Sequence, residues 1–230
     1  MRHLRYGLLG MALSLALSLP ALAEPGDGGL IYYAPGFELI NTEALNTQIP
    51  GYAPVNSFFW GQGGGLVMSY HRFMLGAEFH SLFGQLSQNS TDSLRVEGSY
   101  GLIHLGYAVF ASSRFQLFPY VGVGPGLMNV YGSDNLTSLL NVSQGSNQQI
   151  NNMQGASILL DFGVAGNVVL PMSPENGEDQ RGPALGLRLG YLLPVTQTAW
   201  QSNRLPVTGG PELAPGGFYL KLTAGFGSFQ

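Results

Sequence analysis

A chain of 230 residues with 34 glycines, no cysteine and only 10% charged residues makes a poor soluble exterior, where about a quarter of residues are usually charged. The absence of cysteine excludes a disulfide scaffold. Setting aside Arg2 and Arg5 leaves seven basic residues against 13 acidic, a balance that argues against nucleic acid, whose affinity rests on cations neutralising phosphates.

Residues 1–23 read as a secretion signal. Arg2, His3 and Arg5 make a basic start, Tyr6 to Leu19 an apolar stretch, and Pro20-Ala21-Leu22-Ala23 a small-residue cleavage site. The expected mature chain, 24–230, is one domain. The apolar stretch is too short to span a bilayer as a helix, and nothing later approaches about 18 continuous apolar residues. No Cys comes after the cleavage site, which argues against a lipid anchor.

Beyond residue 23 the chain alternates with a period of two. The pattern predicts eight strands at 29–40, 57–70, 72–84, 94–110, 114–131, 155–170, 184–195 and 216–229. In the last, Phe218, Leu220, Leu222, Ala224 and Phe226 alternate with Tyr219, Lys221, Thr223 and Gly225; in the seventh, Leu185, Leu187, Leu189 and Tyr191 alternate with Gly186, Arg188 and Gly190. Strand four changes phase between Leu102 and Ile103, which predicts a bulge near Gly101–Ile103. Long connections (41–56, 132–154, 196–215) alternate with short ones near His71 and Ala111-Ser112-Ser113, while 85–93 is of medium length and 171–183 intermediate. This is the arrangement of a transmembrane barrel with short periplasmic turns and longer outer loops.

Aromatics gather toward strand ends as two interfacial girdles would require. Tyr70, Phe73, Tyr107, Phe110, Phe115, Phe118 and Phe226 lie toward the short turns; Phe58, Phe59, Trp60, Phe79, Phe83, Tyr131 and Phe218 lie toward the long loops. A soluble barrel would need many more charges on its polar face than Gly186, Arg188 and Gly190 or Tyr219, Lys221 and Thr223 supply. The fold expected is therefore all-β, an eight-stranded antiparallel up-and-down transmembrane β-barrel.

Phe118-Pro119-Tyr120-Val121-Gly122-Val123-Gly124-Pro125-Gly126-Leu127 resembles the PYxGxGxG strand of small outer-membrane barrel proteins of the OmpA, OmpW and opacity-protein kind. The leader and the strand from Gly217 to Phe229 resemble that superfamily too. The resemblance implies a barrel in the outer membrane of a Gram-negative bacterium. It would be inserted by the outer-membrane assembly machinery and surrounded by outer-membrane lipids including lipopolysaccharide, and the expected state is a monomer. The family ends on Phe, whereas here Gln230 follows Phe229, and the peptidoglycan-binding domain of OmpA is not expected.

Glu38, Glu78, Asp161, Arg188 and Lys221 share inward parity, with Arg95 and Glu97 as further candidates; such charges should pair across a narrow interior. Arg188 is expected on Asp161, with Lys221 competing for Asp161 or Glu38. If strands three and four place His80 opposite Glu97 and Glu78 opposite Ser99, then His80, Glu97 and Ser99 would form an acid–base and hydroxyl constellation. No spacing suggests a metal site, no cofactor is expected, and Gly122-x-Gly124-x-Gly126 has no helix after it to make a phosphate loop. An eight-stranded lumen is just wide enough for side chains. The function expected is therefore a non-enzymatic structural or surface-interaction role without a permanent pore. The alternatives are a conduit for small apolar molecules and an enzyme acting on outer-membrane lipid.

Overall fold

The computed structural model describes residues 28–49, 51–90, 92–112, 114–133, 136, 150–170, 172, 181–196 and 198–229. The expected signal segment and its cleavage site lie outside the described residues. Eight long strands form the wall: β1 (Gly28–Leu39), β2 (Phe58–Tyr70), β3 (Phe73–Gln88), β4 (Ser93–Tyr107), β6 (Phe115–Gly132), β7 (Asn152–Val169), β8 (Arg181–Pro194) and β11 (Gly217–Phe229). Four short elements were not anticipated from sequence: α1 (Glu43–Gln48), β5 (Phe110–Ala111), β9 (Ala199–Ser202) and β10 (Leu205–Pro206).

Each wall strand pairs antiparallel with the next, and β11 pairs with β1, so the sheet closes without a free edge. Closure matters in lipid, where an unpaired N–H or C=O has no water to turn to. Stepping through the pairings from Gly28 by way of Ser69, Met74, Gly106, Tyr120, Gly163, Gly190 and Tyr219 returns to β1 at Glu38, ten residues beyond the start. That stagger requires strands tilted by roughly 40–45°.

Outward side chains form an apolar band. On β8 the row is Leu185, Leu187, Leu189, Tyr191 and Leu193, all exposed; on β4 it is Ile103, Leu105 and Tyr107, and on β3 Phe73, Leu75 and Phe79. At about 3.3 Å per residue and a tilt near 45°, Leu185 to Val195 climbs about 23 Å, close to the height of an outer-membrane apolar band. Soluble monomers rarely expose an apolar patch of this extent, and a band around the whole wall fits hydrocarbon. Tyr70, Phe73, Tyr107 and Phe226 ring one end, and Phe58, Trp60, Phe79, Phe83, Tyr131 and Phe218 project toward the other. Phe59 and Phe118 do not join the girdles; both point inward and are buried.

Strand four carries no bulge. β4 alternates without interruption and keeps one register with β6, while the register shift in this hairpin lies on β3, between Leu82 and Gln85. Its apolar residues change face because its surroundings change. Toward the short turns Ile103, Leu105 and Tyr107 face outward; toward the long loops Leu94, Val96, Tyr100 and Leu102 are buried inside while Arg95 is exposed. The strand has left the hydrocarbon, and its polarity inverts to that of a water-soluble barrel.

Above this level the long connections fold over the barrel mouth. Leu45 of α1, Ile49, Val55, Leu136, Ile150, Val207 and Leu213 join Leu94, Val96, Met128, Val130, Leu159, Leu192 and Trp200 of the wall in one apolar core. The β9–β10 hairpin turns through Asn203 and Arg204, both at positive φ (50° and 66°), as a two-residue type I′-like turn requires. β9 pairs with β7 and so continues the wall past the end of β8. Most of the 133–154 connection lies outside the described residues, but Leu136 and Ile150 anchor its two sides in the core, tied by a 2.6 Å backbone hydrogen bond.

The outward assignment is testable. Leu187→Arg and Ile103→Arg each place a charge on the lipid face, at an expected cost of about 2–4 kcal/mol near the bilayer midplane. Both should lose folding yield in lipid vesicles, read as protease-resistant barrel. Refolding at the parent's yield would show that these rows do not face hydrocarbon.

Candidate functional site

Inside the wall, strand parity points Glu38, Glu78, Asp161, Arg188 and Lys221 into the lumen, and all five are buried. Lys221 and Arg188 are direct neighbours on β11 and β8, two like charges side by side. Glu78 reaches them from the opposite wall: one carboxylate oxygen pairs with the Lys221 ammonium, the other accepts from Arg188 Nη1 at 3.1 Å and from the Tyr32 hydroxyl at 3.0 Å. One side chain of β3 is thereby tied to β8, β11 and β1. The cations also rest on rings. Arg188 lies 4.4 Å from the Tyr32 centroid, and Lys221 lies 4.2 Å from that of Tyr219 and 5.0 Å from that of Tyr100.

A second cluster centres on Asp161 of β7. One carboxylate oxygen accepts from the Tyr219 hydroxyl at 2.8 Å, and the other meets His104 Nε2 of β4 at 2.8 Å. Tyr219 and Tyr120 join hydroxyls at 2.5 Å, and the His104 ring packs edge-on to Tyr120 at 5.0 Å. Asp161 does not take Arg188. Its partner on β8 is Leu192, four residues along the strand from Arg188, whose own partner is Ala165. Glu38, opposite Tyr219, is buried with neither carboxylate oxygen in a hydrogen bond among the described residues.

The constellation of His80, Glu97 and Ser99 is not assembled. His80 lies opposite Tyr100, and Glu78 opposite Leu102, three residues from the expected register. An odd shift reverses which face of β4 meets the inward residues of β3. His80 is therefore buried in the lumen, stacked on Tyr100 at 5.4 Å, while Glu97 faces out and pairs with Arg95 at the surface, and Ser99 shares that outward parity. The register expected from folding the two strands about the 85–93 connection is what put Glu97 and Ser99 inside.

Large lumen side chains fit because their neighbours lack them. A Cβ at Gly163 would lie 2.6 Å from the Tyr120 ring and hydroxyl, and one at Gly190 would run into Tyr219. In the Gly122, Gly124, Gly126 series, Gly122 seats His104, Gly124 lets the backbone of Gly101 approach, and Gly126 makes room for Leu159. Gly186 is filled the same way by Asn167 and Thr223.

Sequence reasoning passed over His104, Tyr32, Tyr120 and Tyr219. For Tyr32 and Tyr219 parity was the available signal, since they share a face with Glu38 and Lys221; His104 and Tyr120 had no neighbour on their strands that was assigned to the lumen. Chemically, the site is two charge clusters, Glu78 with Arg188 and Lys221 and Asp161 with His104, beside an unpaired Glu38. Among the described residues no three His, Asp or Glu side chains converge to hold a metal. Among them the buried partner of His104 is the Asp161 carboxylate, and no buried hydroxyl is hydrogen-bonded to His80 or His104.

No protein-family model matches the chain, and no curated protein matches its sequence. Its fold is similar to solved outer-membrane structures. The attachment invasion locus protein Ail of Yersinia pestis is 10% identical, with 89% of this chain and 99% of that one covered at a TM-score of 0.43. The outer membrane protein OprG of Pseudomonas aeruginosa is 13% identical, with 90% and 97% covered at 0.38. The outer membrane protease OmpT of Escherichia coli is 8% identical, with 94% and 100% covered at 0.35. These likenesses are too distant to carry any activity to this chain.

The pairing makes a sharp energetic prediction. Removing Glu78 alone, as Glu78→Gln, leaves two buried cations facing each other and should cost about 3–5 kcal/mol. In a double-mutant cycle Glu78→Gln and Arg188→Met should couple by more than about 1 kcal/mol, whereas Asp161→Asn and Arg188→Met should add within about 0.5 kcal/mol. Urea unfolding of the refolded barrel measures both; the reverse order would assign Arg188 to Asp161.

Proposed function

We propose that this protein is a sealed barrel of the Gram-negative outer membrane that holds a folded cap at the cell surface and acts structurally or through surface contacts. The observation that supports this reading is the position of the Glu78 cluster. It crosses the lumen from β3 to β8 and β11, and tyrosines and histidines fill the space around it. An eight-stranded barrel has little interior beyond its side chains, so a tie across it leaves no continuous water path. The cap adds to the reading: its described loop residues share an apolar core with the wall. In this orientation the short turns face the periplasm and the long connections face outward.

Planar-bilayer recording tests the reading. The parent should show no steady conductance, and Glu78→Ala with Lys221→Ala should introduce it by removing the tie without leaving its closest opposite charge. Steady conductance in the parent, or uptake of small apolar solutes by vesicles that carry it, would favour a conduit instead. Release of product from labelled phospholipid or lipopolysaccharide by the purified barrel would make it an enzyme.

A further inference from the structure

The outward face of the barrel is not the same all round. On β6, β7 and β11 the outward residues of the apolar band carry no polar side chain, as in Val121 and Val123, Phe162 and Val164, Leu220 and Leu222. β8 adds one hydroxyl, that of Tyr191, at the level where its ring meets Phe218. The sector from β1 to β4 differs. There Tyr33, Gln62, Ser81 and Ser99 all take outward parity.

Gln62, Ser81 and Ser99 are direct partners across three strands, so their side chains form one row. Tyr33 lies two residues off that row on β1 and rejoins it by donating its hydroxyl to Gln62 Oε1 at 2.7 Å. Ser99 stands where the outer face of β4 turns polar, whereas Gln62 lies two residues, or about 5 Å, deeper than Trp60 of the aromatic ring. The Gln62 amide nitrogen is exposed on the wall with no partner among the described residues. Hydrocarbon offers it none.

One row nearer the short turns, the relief of the wall alternates. Tyr33, Gly64, Phe79 and Gly101 are consecutive partners across β1 to β4, so two exposed rings stand beside two positions without a side chain. A Cβ on Gly64 would lie 2.9 Å from the Tyr32 carbonyl oxygen, so backbone floors this notch.

We infer that this sector is the contact face between two copies of the barrel, related by a two-fold axis along the membrane normal between β2 and β3. About that axis β2 of each copy faces β3 of the other. Phe79 enters the notch over Gly64 of the other copy, and the Gln62 amide donates to its Ser81 hydroxyl, each contact being made twice. The occupant follows from the chemistry of the face. Within the band it holds donors and acceptors but no charge, and knob and notch lie one strand apart, so it is its own complement. Two walls gain nothing by leaving lipid tails as apolar as themselves, so association relies on close packing and hydrogen bonds, and this sector offers both. The inference departs from the monomer expected from the family resemblance, and it rests on the outer-membrane reading of the barrel.

The chain has no cysteine, so single ones report cleanly. Ala77→Cys places a thiol on the outward face of β3, two residues from Phe79, and Leu187→Cys places one on β8, four strands round the wall. Each variant is refolded into phosphatidylcholine vesicles in large lipid excess. One portion carries an environment-sensitive fluorophore, whose apolar emission reports insertion; another receives a short bismaleimide. Linked dimers are expected at 77 and not at 187. In the Ala77→Cys background, Gln62→Leu and Phe79→Ala should each weaken association about tenfold, read from the linked fraction against lipid dilution, while the protease-resistant barrel still forms. An inserted barrel that stays unlinked at 77, links equally at 187, or links at 77 undiminished in both variants would overturn the contact face. Labels that report water at both positions would overturn the membrane reading, and the face with it.

Discussion

Two cations, Arg188 and Lys221, stand on adjacent strands at the same height, and a single carboxylate from the far wall accepts from both. Most of the lumen is arranged around that constraint. Water in so narrow a space is scarce, so the repulsion between the cations must be relieved by an anion within reach, and a side chain crossing the lumen provides it to both. Glu78 does so with its two oxygens, and Tyr32 completes its coordination. The tyrosine rings beneath both cations add quadrupolar attraction while filling volume. The glycines opposite those rings are the complement of the same requirement: where one strand supplies a large side chain, its neighbour supplies none.

The wall is governed by a different rule, set by what lies outside it. Along β4 the apolar residues face outward near the short turns and inward near the long connections, with no change in backbone register. A single uninterrupted strand therefore serves two solvents. The height at which its polarity inverts marks where the protein leaves the hydrocarbon and becomes a small water-facing domain with its own apolar core.

Period-two alternation made the eight wall strands legible, and the composition of their polar faces separated a lipid-facing barrel from a soluble one. The inward parity of Glu38, Glu78, Asp161, Arg188 and Lys221 was legible for the same reason. Their partners were not, because pairing depends on register: the β3–β4 hairpin closes with Gln88 opposite Ser93 and shifts again between Leu82 and Gln85, positions that no residue type announces. The apolar phase change in β4 was visible in the sequence, but it reported a change of solvent and not a bulge. The hairpin register expected about the 85–93 connection placed Glu97 and Ser99 opposite His80 and Glu78, three residues from where they lie. The cap residues Leu45, Leu136 and Leu213 carry no periodicity, so their shared core could not be read before the loops were seen together.

The lumen ties also bear on how the barrel comes to exist. Glu78 lies 110 residues from Arg188 and 143 from Lys221 along the chain, and the seam between β1 and β11 joins the two ends of the sheet. Contacts of such sequence separation form late, after the intervening chain has been ordered. Until the last strand arrives, Glu78 faces an open trough without its ammonium partner. Sealing the seam and neutralising the lumen are then one event. Pairs such as Asp161 with His104 can form earlier, but the Lys221 share of the electrostatic gain arrives only with complete closure, so the last strand brings both the seam and its own counter-charge.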